Sequence, residues 1–314
     1  MRIAAPAKIN LGLRVLDRRP DGYHDLRTVF QAIDLCDEVS VETGGDEIEL
    51  AVVGPSPGPA DENLAVRAAL AYRDATGFAE GLHISLHKRI APGAGLGGGS
   101  SDAAAVLKCL AVLTGDRDGR RLTALGADLG SDVPFFLGTG ALALGTGRGE
   151  VLRPLPPLPE RHVLLVLPPV HVSTAEAYRR LDTARASSDE GEGAWRSVRV
   201  DAAVEGDPRD WAAVDSGAHN DFEPVIVPAH PEIARSLAAL REAGATAVSM
   251  SGSGSASFGL FDESERASSA AATLSGALGW PCVLARTLRT MPVAIPLPPP
   301  PDGSGALNHP HRLG

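Results

Sequence analysis

Apolar residues recur along this chain at two periods, and the first half alternates between them. Leu82, Ile84 and Leu86 are separated by His83, Ser85 and His87, a period of two that predicts a strand with one polar face. On that face the two histidines read as solvated side chains rather than as a metal pair. Short alternating or β-branched runs at 38–42 and 47–53 predict two further strands, and the Pro- and Gly-rich stretch 54–60 parts them from a helix predicted over 62–75. Val106, Leu107, Leu110 and Leu113 then return at spacings of three and four, and Gly115 suits the C-terminal cap of that helix. Its N-terminus falls at Ser100, Ser101 and Asp102, residue types that capping alone would explain.

The Pro-rich stretch 154–159 reads as a semi-rigid linker. It divides the chain into a domain over 1–157 and a second over 158–290. The second half predicts a strand at 162–167, a helix at 174–182, a polar loop at 184–193 and a helix at 231–243. Two strands around 251–255, a helix at 263–278 and a closing strand at 282–288 follow. That order suits an α+β sandwich with helices on one face. Residues 291–314, rich in Pro and then Gly and Ser, have no core-forming pattern and are expected to be a disordered tail.

Composition changes this picture little. The 314 residues are 44% hydrophobic, enough for one large or two ordinary cores. A net charge of −10 argues against nucleic acid or an anionic membrane as partner, since no broad face neutralises phosphates. No apolar run approaches the ~20 residues of a membrane span, and the first residues form no secretory signal; a cytoplasmic protein is expected. Cys36, Cys109 and Cys282 are odd in number and without a C-x-x-C pair, which speaks against a disulfide framework or zinc site.

The richest chemical signal is the run from Pro92 through Gly93, Ala94, Gly95, Leu96, Gly97, Gly98 and Gly99 to Ser100, Ser101 and Asp102. Glycines admit positive φ and bring bare N–H groups close to a ligand, and a helix starting behind them adds free amides and its positive end. An anion, above all a phosphate, is expected there. The loop lacks the lysine of a Walker A motif. Gly93, Gly95 and Gly98 formally meet the dinucleotide pattern G-x-G-x-x-G, but the acids about 20 residues on, Asp116 and Asp118, lie in a polar turn rather than at a strand end. A dinucleotide site and a loop without ligand stay open as weaker alternatives to phosphate binding.

This run resembles the central ATP loop of the GHMP kinases. Four more segments resemble that family in the same order: Ala5-Pro6-Ala7-Lys8-Ile9-Asn10-Leu11, then Arg19-Pro20-Asp21-Gly22-Tyr23-His24-Asp25-Leu26, then Leu129-Gly130-Ser131-Asp132-Val133-Pro134-Phe135-Phe136, then Ser251-Gly252-Ser253-Gly254-Ser255. The resemblance implies the two-domain GHMP kinase fold. Its N-terminal domain is ribosomal-protein-S5-domain-2-like and its C-terminal domain a ferredoxin-like α/β sandwich. The resemblance further implies a kinase using ATP and Mg2+, with a small-molecule substrate. Within the family it implies phosphorylation of the 2-hydroxyl of 4-diphosphocytidyl-2-C-methyl-D-erythritol, a precursor in non-mevalonate isoprenoid synthesis. Monomer and weak dimer are both left open.

Roles follow from the resemblance residue by residue. Asp132 is the expected general base and Lys8 its partner. Residues 130–134 are expected to be a fixed turn because the residue before a proline avoids helix; an Asx-turn role for Asp132 remains the alternative. Lys8 lies between Ala7 and Ile9, where a cation is costly unless it faces a cleft or an acid; without the family, the outward face of an edge strand would be its default place. The Gly run together with Asn63 and Lys88 is expected to hold ATP, and Ser100 or Ser101 to contact the metal. Tyr23, His24, Phe30 and Tyr178 are expected at a cytosine site, with Asn10, Thr174 and Gly252 nearer the methylerythritol end; Phe30 and Tyr178 could equally be core. Asn220 and Asp221 match the family without an assigned role. Two rival readings are a GHMP kinase for another alcohol, such as homoserine or mevalonate, and a nucleotide-binding protein without turnover.

Overall fold

Two long antiparallel strands, β1 (Arg2–Arg18) and β2 (His24–Thr43), organise the chain. In the computed structural model, residues 1–55, 59, 62–187 and 210–298 are described. β4 (Leu82–His87) and then β3 (Ile48–Val53) extend the sheet beyond β2, while β5 (Leu142–Thr146) pairs along another stretch of β2 and β6 (Val151–Pro154) pairs with β5. Leu82, Ile84 and Leu86 are buried, and His83 and His87 face outward as the alternation predicts. Helix α1 (Leu64–Thr76) begins where Asn63 accepts a hydrogen bond from the Ala65 amide at 2.9 Å and ends at Gly77 in the left-handed region.

The register of β1 shifts between Pro6 and Ala7 and again between Asn10 and Gly12. At the first shift one step along β1, Pro6 to Ala7, faces three along β2, Cys36 to Ile33, and the side chains of β1 change sides across this irregularity. Ile3 and Ala5 face the helical layer, Ala7 and Ile9 the opposite side, and Lys8 and Asn10 lie on the helical side, opposite Ala32 and Phe30. The first shift therefore places a cation in the interior.

Helix α2 (Gly98–Thr114) packs its Ala-rich face, Ala103 to Leu107, onto this side of the sheet. Short side chains let the helix approach closely. Gly97 and Gly115, both at φ +72°, bracket it. Beside it lie α3 (Gly119–Leu129), N-capped by Asp118, and the short α4 (Val133–Leu137). The fixed turn expected over 130–134 stops at Asp132: Val133 and Pro134 already open α4, because proline lacks only an N–H that a first helical turn leaves unpaired anyway.

In the second half, β7 (His162–Val166), β9 (Ala247–Met250), β10 (Ser257–Phe261) and β11 (Cys282–Arg286) form an antiparallel sheet in the order β11-β7-β10-β9. Helices Pro231–Glu242 and Ser264–Leu278 pack against it. The boundary expected at 157/158 falls between β6 and β7, yet the halves share a core in which Ala7 and Ile9 meet Val163, Leu165 and Phe258. The two-residue strand β8 (His219–Asn220) also pairs in parallel with β1.

Two expectations are corrected. The polar loop expected at 184–193 begins as helix, since α5 (Thr174–Ser187) runs on and Arg185 binds the Val15 and Leu16 carbonyls; residues 188–193 lie outside the described residues. The tail expected from 291 starts as ordered chain. Met291 is buried, and Arg2 and Ile295 exchange two backbone hydrogen bonds of 2.8 Å, because the first residues of β1 offer an unpaired edge there. Residues 299–314 lie outside the described residues. Among the described residues no helix is long and apolar enough to cross a membrane.

Candidate active site

The two Gly-rich turns meet back to back. Lys8 N–H donates to the Leu96 carbonyl at 2.9 Å, Ala256 N–H to that of Ala94 at 3.1 Å, and the Ser251 hydroxyl to that of Gly95 at 2.9 Å. A Cβ on Gly95 would stand 2.1 Å from the Ser251 carbonyl oxygen, and Gly95 itself sits at φ +78°. Only glycine fits that contact. Asn220 holds the second turn from behind: its amide donates to the Met250 and Gly252 carbonyls, each at 2.8 Å, and its Oδ1 accepts from Phe222 N–H. Asp221 accepts from Val15 N–H and pairs with His219. Both residues thus gain a structural role that the sequence did not supply.

A cavity of about 750 Å³ opens on one side of the apposed turns. Lys8, Asn10, Tyr23, His24, Phe30, Asp132, Thr174, Tyr178 and Gly252 all line it, together with Gly95 and Gly97. Lys8 is only 4% exposed, and its ammonium donates to Asn10 Oδ1 at 2.7 Å and lies 3.6 Å from Asp132 Oδ2. Asn10 Oδ1 also accepts from Gly252 N–H, and its amide donates to the Thr28 hydroxyl. Asn10 therefore ties the cation to the second glycine turn. Asp132 stands at the N-cap of α4, but its side chain makes no capping hydrogen bond; the carboxylate is left for Lys8 and the cavity. The edge-strand default for Lys8 is overturned by the bulge that turns it inward.

The aromatic residues divide by burial. Phe30 packs against Phe135 in the core with one side on the cavity. Tyr23 is 58% exposed, with the Arg148 guanidinium 5.0 Å from its ring centre. His24 lies flat on Tyr178 at 4.9 Å, and Tyr178 meets Phe222 edge-on. Burial, with the negative charge of Asp132 as a smaller contribution, pushes the Tyr178 hydroxyl up to about 12, so it is a proton donor at neutral pH. Arg148, Asp182 and Phe222 line the cavity without having been singled out from sequence. Of these only Asp182 left a readable trace, four residues after Tyr178 on a helix.

A second cavity, of about 330 Å³, lies beyond the same turn. Pro92 to Ser100, Asp102, Asn63 and Lys88 line it, and Gly95 and Gly97 are common to both cavities. The first amides of α2 point their unpaired N–H groups from its end. Lys88 is buried between Asp102, at 2.5 Å, and Asp37, which also accepts from the amides of Arg89 and Ile90. Burial works against the Lys88 ammonium, but the two carboxylates outweigh it and raise its pKa. Burial pushes the Asp102 carboxyl up to about 7 despite Lys88 beside it. Asp102 Oδ1 has no partner, whereas Asp37 accepts three donors. The triad pins both ends of the Gly run, through 88–90 before it and Asp102 behind it.

The two serines stand apart. Ser101 does not line this cavity; one residue of helix turns it about 100° from Ser100, and its buried hydroxyl faces β1 without a partner. Of the two serines only Ser100 reaches the cleft. Among the described residues no cluster of three or more His, Cys, Asp or Glu could hold a metal.

Residues 63–140 match the N-terminal domain of the GHMP kinases and residues 200–285 their C-terminal domain. The 4-diphosphocytidyl-2-C-methyl-D-erythritol kinase of Solibacter usitatus is 46% identical over 82% of this chain and 80% of its own length. That of Pelobacter propionicus is 43% identical over 92% and 99%. A crystal structure of 4-(cytidine 5'-diphospho)-2C-methyl-D-erythritol kinase superposes with a TM-score of 0.74 at 38% identity, covering 91% of this chain and 99% of the other. Homoserine kinase from Cytophaga hutchinsonii, at 22% identity and a TM-score of 0.73 over 94% and 97%, shares the fold. By sequence and by fold, the chain belongs to the GHMP kinases, on the branch of the 4-diphosphocytidyl-2-C-methyl-D-erythritol kinases.

Proposed function

We propose that the chain transfers the γ-phosphoryl group of ATP to the 2-hydroxyl of 4-diphosphocytidyl-2-C-methyl-D-erythritol. The observation that carries this reading is the Lys8–Asp132 pair beside a turn whose glycines line both cavities. Phosphoryl transfer needs positioning and charge neutralisation more than covalent help. The triphosphate fits along the Gly run and the N-terminus of α2, and the alcohol fits in the larger cavity. Asp132 accepts the proton of the 2-hydroxyl as its oxygen bonds to the γ-phosphorus. The bond from that phosphorus to the bridging oxygen breaks, and ADP leaves with the electron pair. Lys8, fixed by Asn10, offsets the negative charge of the transferring group. Ser100, the one hydroxyl of the pair that reaches the cleft, would contact a Mg2+ held mainly by the phosphates, and the ion would supply further charge neutralisation there. Tyr23, His24, Phe30 and Tyr178 surround a base, for which homoserine and mevalonate have no counterpart.

The test is ADP release from Mg-ATP with the cytidylated alcohol, beside homoserine, mevalonate and galactose. Turnover confined to the cytidylated alcohol is expected. Turnover with one of the others instead would overturn the substrate, and none with any would overturn the kinase.

A further inference from the structure

His24 is held on two sides by one helix. Its ring lies on Tyr178, with 15° between the planes, and its Nε2 stands 2.7 Å from Asp182 Oδ1. Tyr178 and Asp182 are four residues apart on α5, hence on one face. One residue fixes the plane of the imidazole and the other its rotation within that plane. A carboxylate only accepts hydrogen bonds, so Nε2 carries the proton, and in the neutral ring the lone pair stays on Nδ1. Nδ1 is then the ring nitrogen left for a ligand in the cavity that His24 lines.

We infer that Asp182 is a positioning residue that sets the tautomer of His24, and that this makes the cavity select a base presenting an amino donor over one presenting a carbonyl at the same place. The inference rests on the reading of the cavity as a pyrimidine site. Cytosine offers an amino group at C4, where uracil has a carbonyl oxygen. Against an acceptor Nδ1 the amino group pairs. The carbonyl meets it lone pair to lone pair, and both groups go unpaired in a partly desolvated site, which discriminates strongly.

Asp182→Asn separates this from a merely structural ion pair. The asparagine amide donates to Nε2 and permits the opposite tautomer, with Nδ1–H facing the cavity. For the cytidine-linked alcohol, kcat/KM is expected to fall about 10- to 100-fold, the range for one unpaired buried group, chiefly through KM. Preference over the same alcohol carrying uridine diphosphate should shrink by a similar factor. Nitrogen-15 spectra of histidine-labelled protein, with His24 assigned by its loss in His24→Gln, should show Nε2–H in the wild type and Nδ1–H in Asp182→Asn. An unchanged cytidine-to-uridine ratio in the variant, or an Nδ1–H tautomer in the wild type, overturns the inference. If the wild type turns over neither alcohol, the kinase reading fails by itself. Calorimetric titration with cytidine and uridine 5'-diphosphates then decides: tighter cytidine binding that Asp182→Asn abolishes sustains the inference, and equal binding overturns it.

Discussion

Asp132 and Asp102 are carboxyls placed for opposite ends. Asp132 keeps its side chain free of the capping bond its position invites and turns it to Lys8 and the cavity. Asp132→Asn removes the proposed proton acceptor while leaving the Gly run intact, so turnover should fall roughly 10²- to 10⁴-fold; steady-state ADP release measures it, and a nucleotide titration should find ATP affinity within about threefold. Asp102 is buried against Lys88 with one oxygen unpaired. Its carboxyl titrates near 7 in the folded chain against an ordinary 3.8. Between those values the folded state holds the proton more tightly than the unfolded one. Stability that this residue confers at acid pH is therefore lost as pH rises from about 4 to about 7, and stays lost above. Asp102→Asn does not titrate. Its stability relative to wild type should rise from pH 4.5 to 7.5 in urea unfolding, and a flat difference would refute the assignment.

At the scale of elements, the glycine turns show which features a sequence states openly. Gly95 and Gly115 have similar φ, +78° and +72°, but only Gly95 abuts another backbone, while a Cβ on Gly115 meets nothing within 4 Å. Gly115→Ala should cost only the left-handed strain of about 1–2 kcal/mol and spare ATP affinity. Gly95→Ala carries the same strain and forces the turns apart, so it should melt lower still and weaken ATP binding by more than about tenfold; melting and titration of the two variants side by side check this. The alternation of β4 and the 3-4 spacing of α2 were legible because each needs only local periodicity. The Gly run was legible from its glycines and the helix behind them, and Lys8, Asn10, Tyr23, His24, Phe30, Asp132, Thr174, Tyr178 and Gly252 were singled out through a resemblance to a family, whereas Arg148, Asp182 and Phe222 in the same cavity were not. The bulge after Pro6, the closure of α5 onto the carbonyls of β1 and the apposition of Gly95 with Ser251 depend on partners far away in the chain, and no local pattern encodes them. Asp37 was missed for the same reason: a carboxyl inside a strand gives no sign that Lys88 awaits it.

For the molecule as a whole, the shared core makes the halves interdependent, and the chain after β11 joins them. Met291 is buried among residues of the first half, and Ile295 pairs with Arg2. Ending the chain after Thr290 should cost several kcal/mol, hence on the order of 5–15 °C in Tm by calorimetry; an unchanged Tm would show these contacts to be idle. Gly95 and Gly97 belong to the walls of both cavities, and from that follows a kinetic signature. In the proposed reaction the two reactants occupy separate cavities that meet at this turn, so both can be present together and the phosphoryl group has no need to rest on the protein between them. Double-reciprocal plots should intersect rather than run parallel, and ATP alone should leave no phosphate on the chain.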